Sequence, residues 1–122
     1  MALHFYAQAC ALEDRDGCYE AGIVAGTLLG PNGAPSTDIK YFRLACRLRS
    51  ARGCNRLSEL VDAADADTVV IELQRRACSL GSAEGCWNAQ QSYAAMGRER
   101  EAAAVYARAC RLARAYCKRE KS

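Results

Sequence analysis

Four times in 122 residues the chain repeats an Ala-Cys pair followed, seven or eight positions after the cysteine, by a second cysteine. Ala9-Cys10-Ala11-Leu12 leads to Gly17-Cys18, and Ala45-Cys46-Arg47-Leu48 leads to Gly53-Cys54. Ala77-Cys78-Ser79-Leu80 leads to Gly85-Cys86, and Ala109-Cys110-Arg111-Leu112 leads to Tyr116-Cys117. All eight cysteines lie in these units. In one continuous helix a separation of eight spans ~12 Å of rise, whereas a disulfide needs Cα atoms within roughly 7 Å. A bridged pair therefore requires the chain to turn back between its cysteines. The intervening residues suit a corner: Asp14-Arg15-Asp16-Gly17, Ser50-Ala51-Arg52-Gly53 and Gly81-Ser82-Ala83-Glu84-Gly85. Asp, Ser and Gly can end one helix and cap the next. Each unit thus reads as a helix end, a tight corner and a helix start, and a bridge closing so short a loop contributes ~2.5 kcal/mol in the chain-entropy model.

The alternative is eight free thiols packed as small apolar groups. An even count, regular pairing and turn chemistry between partners favour a disulfide framework. Zinc fits poorly, because His4 is the single histidine and no C-x-x-C pair occurs. The fourth unit has no glycine and no good cap in Leu112-Ala113-Arg114-Ala115-Tyr116. There the chain can turn and bridge Cys110 to Cys117, or run on as one helix with the two cysteines ~10 Å apart.

The rest of the chain supports one helical domain over residues 1–122. Half of the residues (51%) are apolar, enough for a core, and alanine dominates them. Two prolines and few β-branched runs speak against sheet. Residues 1–12 form an N-terminal capping helix with Phe5, Tyr6, Ala9 and Cys10 on one face. Helix pairs follow at about 17–48, 53–80 and 85–112, some seven helices in all, with the tail 113–122 as a C-terminal cap whose polar end, Lys118 to Ser122, frays. Gly22 lies mid-helix, where another helix can approach closely. Gly30-Pro31-Asn32-Gly33-Ala34-Pro35 is the clearest loop, without a phosphate-binding pattern. Asp62, Asp65 and Asp67 read as helix-capping acids rather than a calcium loop, which would need a glycine and a glutamate at fixed positions.

No apolar run reaches the ~18 residues of a membrane span. The first residues lack the basic and apolar regions of a signal peptide, yet disulfides need an oxidising compartment. The expectation is a mature or trimmed chain from the periplasm or the secreted fraction. A cytoplasmic protein with reduced thiols is the alternative.

The units recur at intervals of 36, 32 and 32 residues, the period of an α-solenoid. The run A-C-x-L…G-C, preceded four residues earlier by Tyr6, Phe42 or Tyr106, resembles the cysteine-rich Sel1-like repeats of the Helicobacter cysteine-rich protein family, which are related to tetratricopeptide repeats. Gln74 stands where that aromatic is expected in the third unit. The resemblance covers essentially the whole chain. It implies an all-α fold, an α/α solenoid of Sel1-like helix-turn-helix repeats. It also implies that the paired cysteines bridge neighbouring helices: Cys10–Cys18, Cys46–Cys54, Cys78–Cys86 and Cys110–Cys117.

In such a stack the first helix of each pair lines a concave face. Taking the second cysteine as packed, positions two before, one after and five after it share the groove side. These are Asp16, Tyr19 and Ile23; Arg52, Asn55 and Glu59, with Asp62 one turn on; and Glu84, Trp87 and Gln91. Tyr19, Asn55 and Trp87 form a candidate stripe for a peptide or protein ligand, aromatics being favoured where binding energy concentrates. The opposing reading has Tyr19 and Trp87 cover the bridges and complete the packing.

Charge alternates in blocks. Residues 1–37 carry one base and four acids, 38–56 six bases and one acid, 57–74 five acids and no base, and 75–122 ten bases and four acids. Nucleic-acid binding calls for a continuous basic face, and alternation disfavours it. The resembled family has been linked to penicillin binding and β-lactamase activity, which keeps a penicillin-directed protein as the alternative function. No S-x-x-K occurs, however, and Thr37-Asp38-Ile39-Lys40 has the spacing with the wrong nucleophile. The sequence therefore predicts a non-catalytic interaction scaffold, monomeric and without cofactor or metal.

Overall fold

The computed structural model describes residues 2–29, 36–61 and 67–119. These form eight helices: α1 (Ala2–Ala11), α2 (Arg15–Leu29), α3 (Ser36–Arg47), α4 (Ala51–Leu60), α5 (Asp67–Ser79), α6 (Ala83–Ala95), α7 (Glu99–Leu112) and α8 (Arg114–Arg119). Each helix packs on the next. Further contacts of α1 with α3, α4 with α6 and α5 with α7 set odd- and even-numbered helices in two layers, as in a solenoid.

The first three corners are alike down to the hydrogen bonds. Glu13, Arg49 and Gly81, each three residues after the first cysteine, take left-handed φ values of 65°, 74° and 104°. Their N–H groups donate to the carbonyls of Cys10, Cys46 and Cys78, and the N–H of the following residue donates to Ala9, Ala45 or Ala77. This Schellman pattern satisfies carbonyls that a helix end would otherwise leave open. The following residue also caps the next helix: Ser50 accepts from the N–H of Gly53, and Ser82 from that of Gly85. Only three residues separate one helix from the next, which brings the paired cysteines to Cα separations of 4.4, 4.5 and 4.3 Å.

The glycine before each second cysteine is therefore not a turn residue. It is the third residue of its helix, where the two helices cross. A Cβ on Gly17, Gly53 or Gly85 would lie 2.6–2.7 Å from the Cβ of Ala9, Ala45 or Ala77. The Ala-Cys and Gly-Cys halves are complementary, and only these small residues allow a crossing this close. Helices α2, α4 and α6 accordingly begin two residues before the expected Gly17, Gly53 and Gly85.

The fourth corner is different. Ala113 alone is extended (φ −154°, ψ 117°) and breaks the helix. Cys110 and Cys117 close to a Cα separation of 4.6 Å and are bridged, so the helix does not run on. The expected C-terminal cap region holds an eighth helix, α8, through Arg119. Tyr106 Oη donates to the Cys117 carbonyl at 2.9 Å, adding a second tie.

Packing between repeats reuses the same residues. The Cys10–Cys18 bridge lies with Ala45, Cys46–Cys54 with Ala77, and Cys78–Cys86 with Ala109, all buried. Two arginines, each two residues before a first cysteine, stitch the odd-numbered layer. Arg76 Nη2 donates to the Cys46 carbonyl at 3.3 Å. Arg108 donates to Cys78 from Nε at 3.0 Å and to Ser79 from Nη2 at 3.3 Å. The core between the second and third units is built on Phe42, the largest fully buried side chain, with Leu57 and half-buried Ile23, Ile39 and Leu73. A second core joins Ile71, Ala89, Tyr93 and Ala102.

One expected face fails. Phe5 is 66% exposed and stacks only edge-on with Tyr6. Helix α1 meets α2 and, more slightly, α3, so its far side faces solvent.

Helix α7 starts without a side-chain cap, Arg98 standing at that position. Arg98 instead donates from Nε and Nη2 to Glu101 at 3.0 and 2.6 Å. That hydrogen bond, with the Glu101 backbone N–H, holds the carboxyl below the usual carboxylate range. A folded-state value below the unfolded one stabilises at neutral pH, and the effect is lost as pH falls through the folded-state value. Arg98→Ala is expected to return the Glu101 titration, followed by carboxyl NMR shifts, to the ordinary range. An unchanged titration would assign the depression to the backbone.

Candidate interaction face

The stripe of Tyr19, Asn55 and Trp87 lies on α2, α4 and α6, each residue immediately after a second cysteine. Each is engaged by the unit that follows. Tyr19 is half-buried, its ring 5.7 Å from Phe42, with the Arg52 guanidinium 4.4 Å from its centroid. Asn55 is 5% exposed, and its Oδ1 accepts from Asn88 Nδ2 at 3.2 Å. Trp87 is half-buried, its ring 5.6 Å from that of Tyr116 on α8. The three positions thus double as seams between repeats. A cation over an aromatic face and an amide pair in a partly dry seam both resist separation.

Around them Asp16, Arg52, Glu59, Glu84 and Gln91 are exposed, and Ile23 packs half-buried against the Phe42 core. Glu59 pairs with Arg56 at 3.6 Å on the surface. Asp62 lies outside the described residues, as do residues 30–35 of the expected loop and the acid Asp65. The outer edge of the row therefore alternates in sign, with Asp16 and Glu84 either side of Arg52.

Three residues missed in the sequence complete this face. Arg56 places its guanidinium 5.7 Å over Phe42. Asn88 holds Asn55. Tyr116 meets Trp87. Arg56 and Asn88 both fall two residues after a second cysteine, so a wider helical window would have caught them. Tyr116 carried no such signal, because it stands where the other units have glycine. Gln74, the exception to the aromatic pattern, is also explained: its Oε1 accepts from Ser92 Oγ at 2.6 Å and ties α5 to α6. The bridges are structural, with Cys18, Cys54 and Cys86 fully buried. Among the described residues no helix is long and apolar enough to cross a membrane.

No family model matches the sequence, and no curated protein matches it. Two crystal structures of MamA, a tetratricopeptide-like all-helical repeat protein, are similar in fold. The first matches 91% of this chain and 66% of its own at 17% identity and a TM-score of 0.59. The second matches 86% and 57% at 17% identity and a TM-score of 0.57. The chain spans about two thirds or less of those proteins. At that identity the likeness establishes the fold alone, a helical repeat of tetratricopeptide-like architecture.

Proposed function

We propose that this chain is a non-catalytic scaffold of the cysteine-rich Sel1-like type that holds a peptide or protein segment along the row of α2, α4 and α6. The observation that carries the reading is α8. This short helix packs on α7 and brings Tyr116 against Trp87, aromatic on aromatic, a contact that supports reading the wall at Trp87 as one that takes a helical segment. The exposed charges Asp16, Arg52, Glu59 and Glu84 flank it and would select for a segment of alternating sign. Four buried or half-buried bridges are compatible with an oxidising compartment, and we place the protein in the periplasm or outside the cell.

The test uses the exposed positions, since Asn55 is too well buried to report on binding alone. Phage-displayed peptides selected on the oxidised protein should lose binding by about tenfold or more to the double variant Arg52→Glu/Glu84→Lys. The melting temperature should fall by only a few degrees, because Arg52 is exposed and its cation over the Tyr19 ring contributes about 0.5–1 kcal/mol. Selected peptides that bind this variant and Trp87→Ala as well as the parent would place the binding face elsewhere.

A further inference from the structure

The arginine stitch between repeats has one gap, and a cleft lies beside it; a cleft of about 370 Å³ remains between α5 and α7 even with Arg108 in place. Between α5 and α7, Arg108 lies against the first cysteine of the preceding unit and donates to two successive carbonyls, Cys78 and Ser79. Between α3 and α5, Arg76 does the same for Cys46. Between α1 and α3 the equivalent position, two residues before Cys46, is Leu44, which has no donor. There a cleft of about 410 Å³ opens over Cys10 and Ala11, walled by Tyr41 and Leu44 and rimmed by Glu13 and Arg47. These residues align unit by unit with the α5–α7 cleft, in which Cys78, Ser79, Val105, Arg108 and Arg111 take part.

We infer that the α1–α3 cleft is a receptor for an arginine side chain of a partner peptide, which would make to the Cys10 and Ala11 carbonyls the bonds that Arg108 makes to Cys78 and Ser79. The differences between the two clefts favour an external guanidinium. Tyr41 replaces Val105 and supplies an aromatic face for a cation. Lys40, whose Nζ stands 5.7 Å from that ring, lines this cleft where the other has Ala104, while Ala7 stands where the other has Arg75, so the two clefts carry the same number of bases beside the guanidinium position. Glu13 brings a carboxylate to the rim where the third unit has Gly81. It does so with a left-handed φ of 65°, a conformation that disfavours any residue with a Cβ, and the second unit puts no acid there but Arg49. Arg47 on the rim does not forbid a cation, because its counterpart Arg111 lines the cleft that holds Arg108. Two neighbouring carbonyls suit a planar fork of N–H donors better than a single ammonium. The site lies between odd-numbered helices and is independent of the row on α2, α4 and α6.

The probes are short acetylated and amidated alanine peptides with one central arginine, lysine or citrulline, titrated into the oxidised protein and followed by backbone amide NMR shifts. The arginine peptide should give saturable shifts at residues 10–13 and 41, with lysine and citrulline about fivefold weaker or more. Leu44→Arg should supply the missing side chain from within and abolish the response. Glu13→Gly, which installs the residue already used at Gly81, should keep the fold and weaken arginine binding by about threefold or more. Equal response to arginine and lysine, shifts confined to other residues, or undiminished binding by Glu13→Gly or a folded Leu44→Arg would each overturn the assignment.

Discussion

Full reduction of the four bridges is expected to unfold this chain at room temperature. Three close loops with a sequence separation of eight and one with a separation of seven. Each such closure stabilises by ~2.5 kcal/mol in the chain-entropy model, so all four together contribute about 10 kcal/mol. A domain of this size has roughly 5–15 kcal/mol in total, and an alanine-rich core leaves little beyond the bridges. The bridges also pack, each of the first three touching a buried alanine of the next unit, so their loss loosens the seams between repeats as well as the corners. Thermal melts by far-ultraviolet circular dichroism with and without a phosphine reductant read the effect. A cooperative melt that survives reduction within a few degrees would refute it. The order of reduction is also predicted. Cys18, Cys54 and Cys86 are fully buried, whereas Cys110 and Cys117 are half-buried. Timed alkylation with peptide mapping should find Cys110–Cys117 opened first, before the melting temperature falls far, since that bridge secures only α8.

Phe42→Ala is expected to be the most damaging single core substitution, costing about 3–5 kcal/mol. Phe42 is 1% exposed and touches helices on both sides, with Cys46, Cys54, Leu57 and Ala77 around it. It also backs Tyr19 and underlies Arg56, so its loss would disturb the candidate interaction face. Its partner across the seam is Gly22. A Cβ there would fall 2.7–2.9 Å from Cε1, Cδ1 and Cζ of the Phe42 ring. That ring is enclosed and cannot swing away, so Gly22→Ala should cost about 1–3 kcal/mol by overpacking. In the Phe42→Ala background the obstacle is gone, and the ~1 kcal/mol gain in helix propensity should make Gly22→Ala stabilising. A double-mutant cycle from urea denaturation measures this reversal. Additive effects would mean that the contact is not what demands glycine.

The Gly22 pair illustrates how far the residues could be read in order. A glycine inside a helical run announces a close neighbour without identifying it, and Phe42 stands out in the sequence only as the aromatic four residues before Cys46. The corner glycines show the same limit. They recur before the second cysteine in the first three units and suit turns and caps by composition, whereas they are crossing points against Ala9, Ala45 and Ala77. Asn55 was assigned to the groove by helical phase and lies at that phase, yet its amide faces Asn88 because the third unit packs over it.

What the residue order alone determined is local. The first three cysteine pairs, their corners and the helical class follow from spacings of eight residues, within which backbone geometry leaves few choices. The repeat interval then fixed that the units stack. Only the tertiary structure decided which side chains meet across units: Arg108 on the Cys78 carbonyl, Tyr116 on Trp87, the turn at Ala113 that makes α8, and the open cleft beside Leu44. The contacts across units join residues about thirty positions apart, where no helical period constrains the partner. Their formation depends on the angle at which whole repeats settle against one another.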